Sequence, residues 1–299
     1  LVFWLVFGGL LYGARRSRVL WPLLALGLLL AFNHAFTPGF FGLEVRDGHL
    51  YGSRIDILTH GSQLMLVALA LTLLIATGGV DLSVGAIMAI AGAVAAQAAV
   101  AHHLSPAAAI ALALAASLVA GAWNGLLVAG FGVQPIVATL ILMVAGRGIA
   151  QLVTGGQIIN FDDATLVFLG NGHLFGLPFT LTLVLVLLGV THLLTRGTAL
   201  GLFIEAVGDN ETASRQSGIN ARWVKFAAYV FSGLCAGLAG LVAMSNIKSA
   251  DANHAGLYAE LDAILAVVVG GTALTGGRFH LVGSIVGALF IQTLTTTMY

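Results

Sequence analysis

Charge is what this chain has least of. Only 8% of its 299 residues are charged, twelve Lys or Arg against twelve Asp or Glu. A soluble globular domain carries roughly 25%, so this chain lacks the polar coat that a water-exposed surface needs. Its zero net charge offers no basic face for nucleic acid. Cys235 is the one cysteine, which excludes a disulfide framework within the chain. Set in an apolar stretch, it reads as a small buried hydrophobe. Lysine occurs only at Lys225 and Lys248, and neither follows a glycine. The Gly-Lys-Ser/Thr loop that cradles nucleotide phosphates is therefore missing, and the chain cannot supply a standard ATPase. The sequence also lacks an HExxH motif, a Cys/His cluster and a nucleophile elbow, so neither a metal site nor catalytic residues are expected.

What the sequence does have is apolar length, with 59% of residues hydrophobic. Long continuous runs fall near 19–36, 60–78, 82–101, 107–129, 134–153, 180–195, 222–246, 259–272 and 281–298. They lack the period-2 alternation of a membrane β-barrel, and most approach the roughly 20 residues a helix needs to cross a bilayer. The expectation is an all-α polytopic membrane protein of about nine to ten transmembrane helices, forming one domain over residues 1–299. Leu1–Tyr12 is apolar but too short to span alone; a signal-like remnant, the end of a cut helix and a misplaced start all fit it. The chain opens on Leu1 and ends inside an apolar segment, which reads as truncation at both ends. A tenth helix would then follow Tyr299.

Lys and Arg set the orientation. Arg15, Arg16 and Arg18 precede the first run, Arg196, Arg215, Arg222 and Lys225 surround the longest polar stretch after residue 190, and Arg278 precedes the last run. Nine alternating spans put all eight on the cytoplasmic side, leaving Arg46 and Arg54 in the outer loops. Small residues at Gly121, Gly125, Gly233, Gly237 and Gly240 have the spacing that lets helix backbones approach closely. Two segments, 77–85 and 269–277, are broken by glycines, a pattern that marks interrupted helices beside a substrate path.

Few polar groups lie inside the runs. Asp81 is the sole acid between Asp56 and Asp162. With Ser83 it either lines a polar path or caps the helix that follows. Arg147 either pairs, snorkels to the outer interface or faces a path. Asn124, Gln134 and Gln151 can join helices by hydrogen bonds or contact a polar solute. His192 reads as interfacial, and His102 and His103 as solvated. The stretch 199–220 carries Glu205, Gly208, Asn210, Glu211, Ala213, Arg215 and Gly218. It suits a short helix capped by Asn210, ended by Gly218 and docked into a partner's groove.

These residues resemble the ribose-type sugar permeases of ABC importers. Ala206 to Ile219 matches the family-like pattern A-V-G-x-N-x-x-A-x-x-x-x-G-I. Three further segments are similar and in family order. They are Ala76 to Ala86; Gln134 to Leu140 with Gly146-Arg-Gly148; and Leu261 to Gly271 with Leu274 to Gly277. Asp47 to Ile57 and Ala250 to Leu257 look like the outer loops of galactofuranose permeases within that family. The resemblance implies a multi-pass subunit of the bacterial inner membrane that passes a monosaccharide, with galactofuranose or a related sugar expected. It further implies a second permease chain, identical or different, and a periplasmic sugar-binding protein. A cytoplasmic double-cassette ATPase would bind the ATP, leaving this chain without a cofactor. Carried onto this sequence, Glu205 to Gly218 is the coupling region. Asp81, Ser83, Asn124, Gln134 and Arg147, with Asp251 and Asn253 in the polar 251–254 loop, become candidates for the path or for the binding protein's dock. The rival reading is an ion-gradient-driven secondary transporter or channel, which needs intramembrane acids; only Asp81, with Glu260 and Asp262 near a helix start, offers them. A membrane-embedded enzyme would need a nucleophile and base at depth, and none is evident.

Overall fold

The computed structural model describes residues 20–37, 40–42, 44–46, 49–174 and 176–298. The apolar Leu1–Tyr12 stretch, the Arg15, Arg16 and Arg18 cluster and the start of the outer-loop resemblance at Asp47 lie outside the described residues. Twelve α-helices follow in order: α1 (Leu20–Phe36), α2 (Ser53–Ala76), α3 (Val84–Val100), α4 (Pro106–Gly125), α5 (Pro135–Thr154), α6 (Ala164–Asn171), α7 (Phe179–Gly197), α8 (Leu200–Asp209), α9 (Glu211–Gln216), α10 (Ala221–Ile247), α11 (Ala259–Val269) and α12 (Leu281–Met298). α4 runs on through a π-turn, Leu126–Gly130. Short antiparallel strand pairs occupy the loops: β1 (Glu44–Arg46) with β2 (His49–Tyr51), β3 (Ile159–Asn160) with β6 (Ser249–Ala250), and β4 (His173–Leu174) with β5 (Leu177–Pro178).

Every expected run contains a helix, but the runs are not equivalent as spans. Among the described residues, six helices are long and apolar enough to cross a membrane: α2, α4 with its π-turn, α5, α7, α10 and α12. α1 and α3 are apolar but only 17 residues each. α11 has 11 residues, about 16 Å of helix, and cannot cross alone. The chain before it explains why. After β6, residues 251–258 descend as irregular turns, and α11 begins only where Gly256 already lies against Gly85, at the start of α3. Non-helical backbone at depth is tolerated where protein surrounds it.

Local chemistry sets the helix ends. Ser105 caps α4 ahead of Pro106, Asn220 caps α10 by accepting from the Trp223 N–H, and α5 closes on Gly155 in the left-handed conformation. α2 and α10 form the centre. Every α2 residue from Met65 to Ala76 is buried, whereas α4, α5 and α7 expose Val119, Val144, Leu152 and Leu193 to their surroundings. Apolar burial does not drive helices together in lipid, so close packing and hydrogen bonds must hold the bundle. The small-residue spacing serves that purpose, because a Cβ on Gly121 would lie 3.0 Å from the Gly233 Cα. Thr72 bonds Ser284 (2.6 Å) and Asn33 bonds Thr297 (2.8 Å), each interhelical bond worth about 0.6 kcal/mol.

Candidate functional site

Asp81, Ser83 and Asn124 come together in one buried knot. Asp81 Oδ1 accepts from the Ser83 N–H (2.9 Å) and Ser83 Oγ (2.6 Å), and Oδ2 accepts from Ser232 Oγ on α10 (2.8 Å). Asn124 Nδ2 on α4 donates to Ser83 Oγ (2.8 Å). Tyr229 donates to the Val80 carbonyl (3.2 Å). Ser83, not Asp81, occupies the cap position of α3, and Asp81 bonds its N–H in a turn just outside the helix. Asp81, Ser83, Asn124 and Ser232 are all fully buried. Asn124 lies about 9 Å along the axis from Gly130, the end of the π-turn, so the knot is well inside the bundle. It ties α3, α4 and α10 together.

Arg147, Asp251 and Asn253 form a second group near the outer end. Arg147, about 10 Å along α5 from Thr154, donates through Nη1 to the Ala252 (3.1 Å) and Ala255 (2.6 Å) carbonyls. Gln151 Nε2 donates to Asn253 Oδ1 (2.7 Å). Asp251 accepts from the backbone N–H groups of Asn253 and His254 and faces His254 Nδ1 at 2.7 Å. Arg147 thus pairs with no carboxylate among the described residues; it pins the irregular 251–258 chain. Gly256 closes that segment (φ +63°), and a Cβ there would sit 2.7 Å from the Gly85 carbonyl. Gln134 belongs with neither group, because it starts α5 at the basic end beside Glu211, Arg215, Arg222 and Lys225.

Residues outside the sequence candidates line a third place. A polar cavity of about 220 Å³ lies among α2, the 254–257 chain, α11 and α12, bordered by His60, Gln63, His254, Asp262 and Gln292 with Leu64, Val67 and Met88. The side chains of Gln63, Gln292 and His60 make no hydrogen bond with the described residues. The signal was in the sequence: Gln63 and Gln292 are uncharged polar breaks in apolar runs, as Asn124 and Gln151 are. Among the described residues there is no group of three or more His, Cys, Asp or Glu that could hold a metal.

The expected short helix of 199–220 is two helices, α8 and α9. Asn210 caps α9 by accepting from the Ala213 N–H (2.9 Å), and Gly218 follows its end with φ +85°. Gly201, Ile204 and Val207 bury one face of α8. Gly208 lies where a Cβ would be 1.7 Å from the Ala76 carbonyl and 2.5 Å from the Gly277 N–H, and that N–H donates to Ala76 (2.9 Å). The two glycine-broken segments noted in the sequence therefore meet here, under α8. Glu205 faces Arg196 at 3.9 Å, and Glu211 pairs with both Arg215 and Lys225. The hydrogen bond from Lys225 holds the Glu211 carboxyl below its ordinary range despite partial burial, and the charges of Lys225 and Arg215 add to this.

A body of apolar helices broken at depth by irregular chain, with a polar cavity between them and a short amphipathic helix docked across one end, is the build of a membrane transport subunit. The chain belongs to the family described as branched-chain amino acid transport system / permease component, whose family model matches residues 53–299. It is 50% identical over 286 residues to the galactofuranose transporter permease protein YtfT of Escherichia coli K12, covering 94% of this chain and 84% of that one. The fructose import permease protein FruF of Bifidobacterium longum is 39% identical, covering 94% of this chain and 81% of that one. The ribose import permease protein RbsC of E. coli K12 is 37% identical, covering 91% and 83%. No solved structure matches the chain. The chain is thus a multi-pass permease component of the inner membrane and a transporter subunit rather than an enzyme.

Proposed function

We propose that this chain is the permease of an ATP-driven importer of a monosaccharide, with galactofuranose the first substrate to try. One observation carries the reading at the level of this molecule: a small polar cavity with unused amide groups lies among the same helices whose other ends meet α8. At about 220 Å³ it falls below the roughly 300–1,000 Å³ of most small-molecule sites, which suits one sugar ring. Gln63 and Gln292 each offer two donors and one acceptor, and Asp262 only acceptors, the mixed set that sugar hydroxyls need. Leu64, Val67 and Met88 offer an apolar wall to the ring's C–H face. On this reading His60, Gln63, Asp262 and Gln292 line the path, Arg147 with Asp251 and Asn253 holds its outer wall, and Asp81, Ser83 and Asn124 fix the helices behind it. Nine membrane crossings, with 251–258 and α11 together making one, agree with the placement of the basic residues.

The partners follow from the same reading. A double-cassette ATPase takes α8 and α9, the region Glu205 to Gly218, and binds the ATP, so this chain needs no cofactor. A periplasmic binding protein delivers the sugar to the outer end, and a second permease chain completes the pore.

The test is uptake of labelled galactofuranose, ribose and fructose into vesicles carrying the full chain, with and without its ATPase and binding protein. Uptake that requires ATP and both partners supports the importer. Uptake by this chain alone that collapses with the ion gradient overturns it in favour of a secondary transporter. The cavity has its own test. Cys235 is buried, so Gln63→Cys and Gln292→Cys should be the thiols that a membrane-impermeant reagent modifies, with uptake lost as they react. Modification without loss of uptake would remove the cavity from the path while leaving the importer standing.

A further inference from the structure

We infer that the basic end of this permease binds an anionic glycerophospholipid, in a site made of two adjoining cavities beside the coupling region. The first is a groove of about 490 Å³ lined by Leu126, Trp223 and Phe226. The second, of about 300 Å³, is bordered by Arg215, Arg222, Lys225, Glu211 and Gln134. Ala129, Gly130 and Arg222 line both, so the two lie side by side. The first is mostly apolar, with Asn220 and Arg222 at its polar part, and the second carries three cations against one carboxylate. Glu211 is already shared between Arg215 and Lys225, whereas Arg222 has no ion pair or hydrogen bond among the described residues. The pair of cavities therefore presents an apolar trough that ends in net positive charge, the complement of an acyl chain ending in a phosphate.

Position favours the same occupant. The site lies at the start of α10 and the end of α4, on the side that the basic residues assign to the cytoplasm, where the leaflet surface is negative. Trp223 is 65% exposed there, as an indole at the headgroup level is. The helix wall has also been reshaped at this place: α4 changes to a π-turn over Leu126–Gly130, and such turns are frequent at functional sites. It is the only π segment among the described residues. Since Arg215 and Lys225 both pair with Glu211 of α9, a phosphate held beside them bears directly on the helix proposed to meet the ATPase.

The full chain in nanodiscs provides the test. Binding of phosphatidylglycerol, phosphatidylcholine and glycerol phosphate is read by native mass spectrometry and by the shift in melting temperature. Retention of phosphatidylglycerol over phosphatidylcholine is expected, with no equivalent effect of glycerol phosphate. Arg222→Gln should weaken that retention about fivefold, the increment one basic residue contributes at an anionic surface. Leu126→Trp, which fills the trough and leaves every charge in place, should weaken it too, and Arg278→Gln should not. Equal retention of both lipids, an equal shift from glycerol phosphate alone, or unchanged binding in both groove variants would overturn the inference.

Discussion

Replacing Gly208 by alanine tests the mechanical link between α8 and the membrane helices. The new Cβ would fall 1.7 Å from the Ala76 carbonyl, whereas real Cβ atoms essentially never come within 3.0 Å of a neighbour. The obstacle is backbone at the end of a buried helix, not a side chain that can swing away, so α8 and α2 must part by about 1.3 Å. Overpacking of this kind costs about 1–3 kcal/mol, and losing the Gly277–Ala76 hydrogen bond beside it costs about 1 kcal/mol more. A displacement of about 1–2 Å is also the size of the helix shifts that carry allosteric signals, and coupling between sites is typically worth about 1–3 kcal/mol, or five- to 150-fold. Gly208→Ala should therefore lower the melting temperature and cut sugar-stimulated ATPase activity at least fivefold in the reconstituted transporter. Gly155→Ala is the control. Its φ of +61° strains an alanine, yet nothing lies within 4 Å of the added carbon. It should cost about 1–2 kcal/mol of stability without disturbing stimulation. Wild-type stimulation in Gly208→Ala, or equal loss in both variants, would refute the link.

Other outcomes follow from the same contacts. Glu211→Arg reverses the carboxylate shared by Arg215 and Lys225 and should abolish sugar-stimulated ATPase activity while the chain still inserts, as read by ATPase assay and size-exclusion profile. The Glu211 carboxyl lies below its ordinary range when folded, so its contribution is complete above that range and fades as pH falls through the lowered value; stimulation should not change with Glu211 between pH 8 and 5, and loss there on its account would contradict the pairing. Arg147→Ala removes two charged hydrogen bonds worth about 1.5 kcal/mol each and frees 252–255, so proteolysis of that segment should accelerate and uptake fall. Asp81→Asn keeps the shape of the knot, and ATP-driven uptake should persist at a reduced melting temperature; complete loss of uptake with normal stability would instead make Asp81 a coupling acid.

Hydrophobic length placed a helix in each of the nine expected runs, because apolar runs and polar breaks are written directly into the sequence, but it missed α6 in the 155–179 loop and could not tell a full crossing from a partial one. The run at 259–272 reads like the others, yet its helix has 11 residues, and the irregular chain ahead of it is held by Arg147, more than a hundred residues earlier, at the carbonyls of Ala252 and Ala255. Such a tertiary hydrogen bond leaves no local periodic signal. The capping role of Asn210 was legible for the opposite reason, since the group it binds is three residues away. Asp81, Ser83 and Asn124 were found because charge and amides are rare here. Their grouping with Ser232 was not, because that serine is unremarkable in a helix full of small residues. Gln63 and Gln292 carry the same kind of signal as Asn124, and only the fold brings them to one cavity. Arg147 read as a residue that pairs, snorkels or faces a path because an intramembrane cation is costly; its bonds to the Ala252 and Ala255 carbonyls, a hundred residues away in sequence, were not legible.

The two glycine-broken segments connect these places. The 77–79 turn ends α2, and the 270–277 stretch joins α11 to α12; both abut Gly208 through Ala76, Gly276 and Gly277. α2, α11 and α12 are also three walls of the polar cavity. A motion of α8 therefore acts on those helices at their inner ends, with no intermediate element. α11 has a different restraint where it begins: it is continuous with the chain pinned by Arg147, and that chain contacts the start of α3 at Gly85 and Gly256. Glycine at 208 allows backbone to press on backbone, leaving no flexible side chain to absorb the movement, while positive φ at Gly276 and Gly277 lets the α11–α12 connection turn beneath α8. A permease needs one end of its path to respond when the other is restrained. Here the walls of the candidate path touch α8, the proposed coupling helix, directly, and the knot around Asp81 holds α3, α4 and α10 as the frame against which they can move.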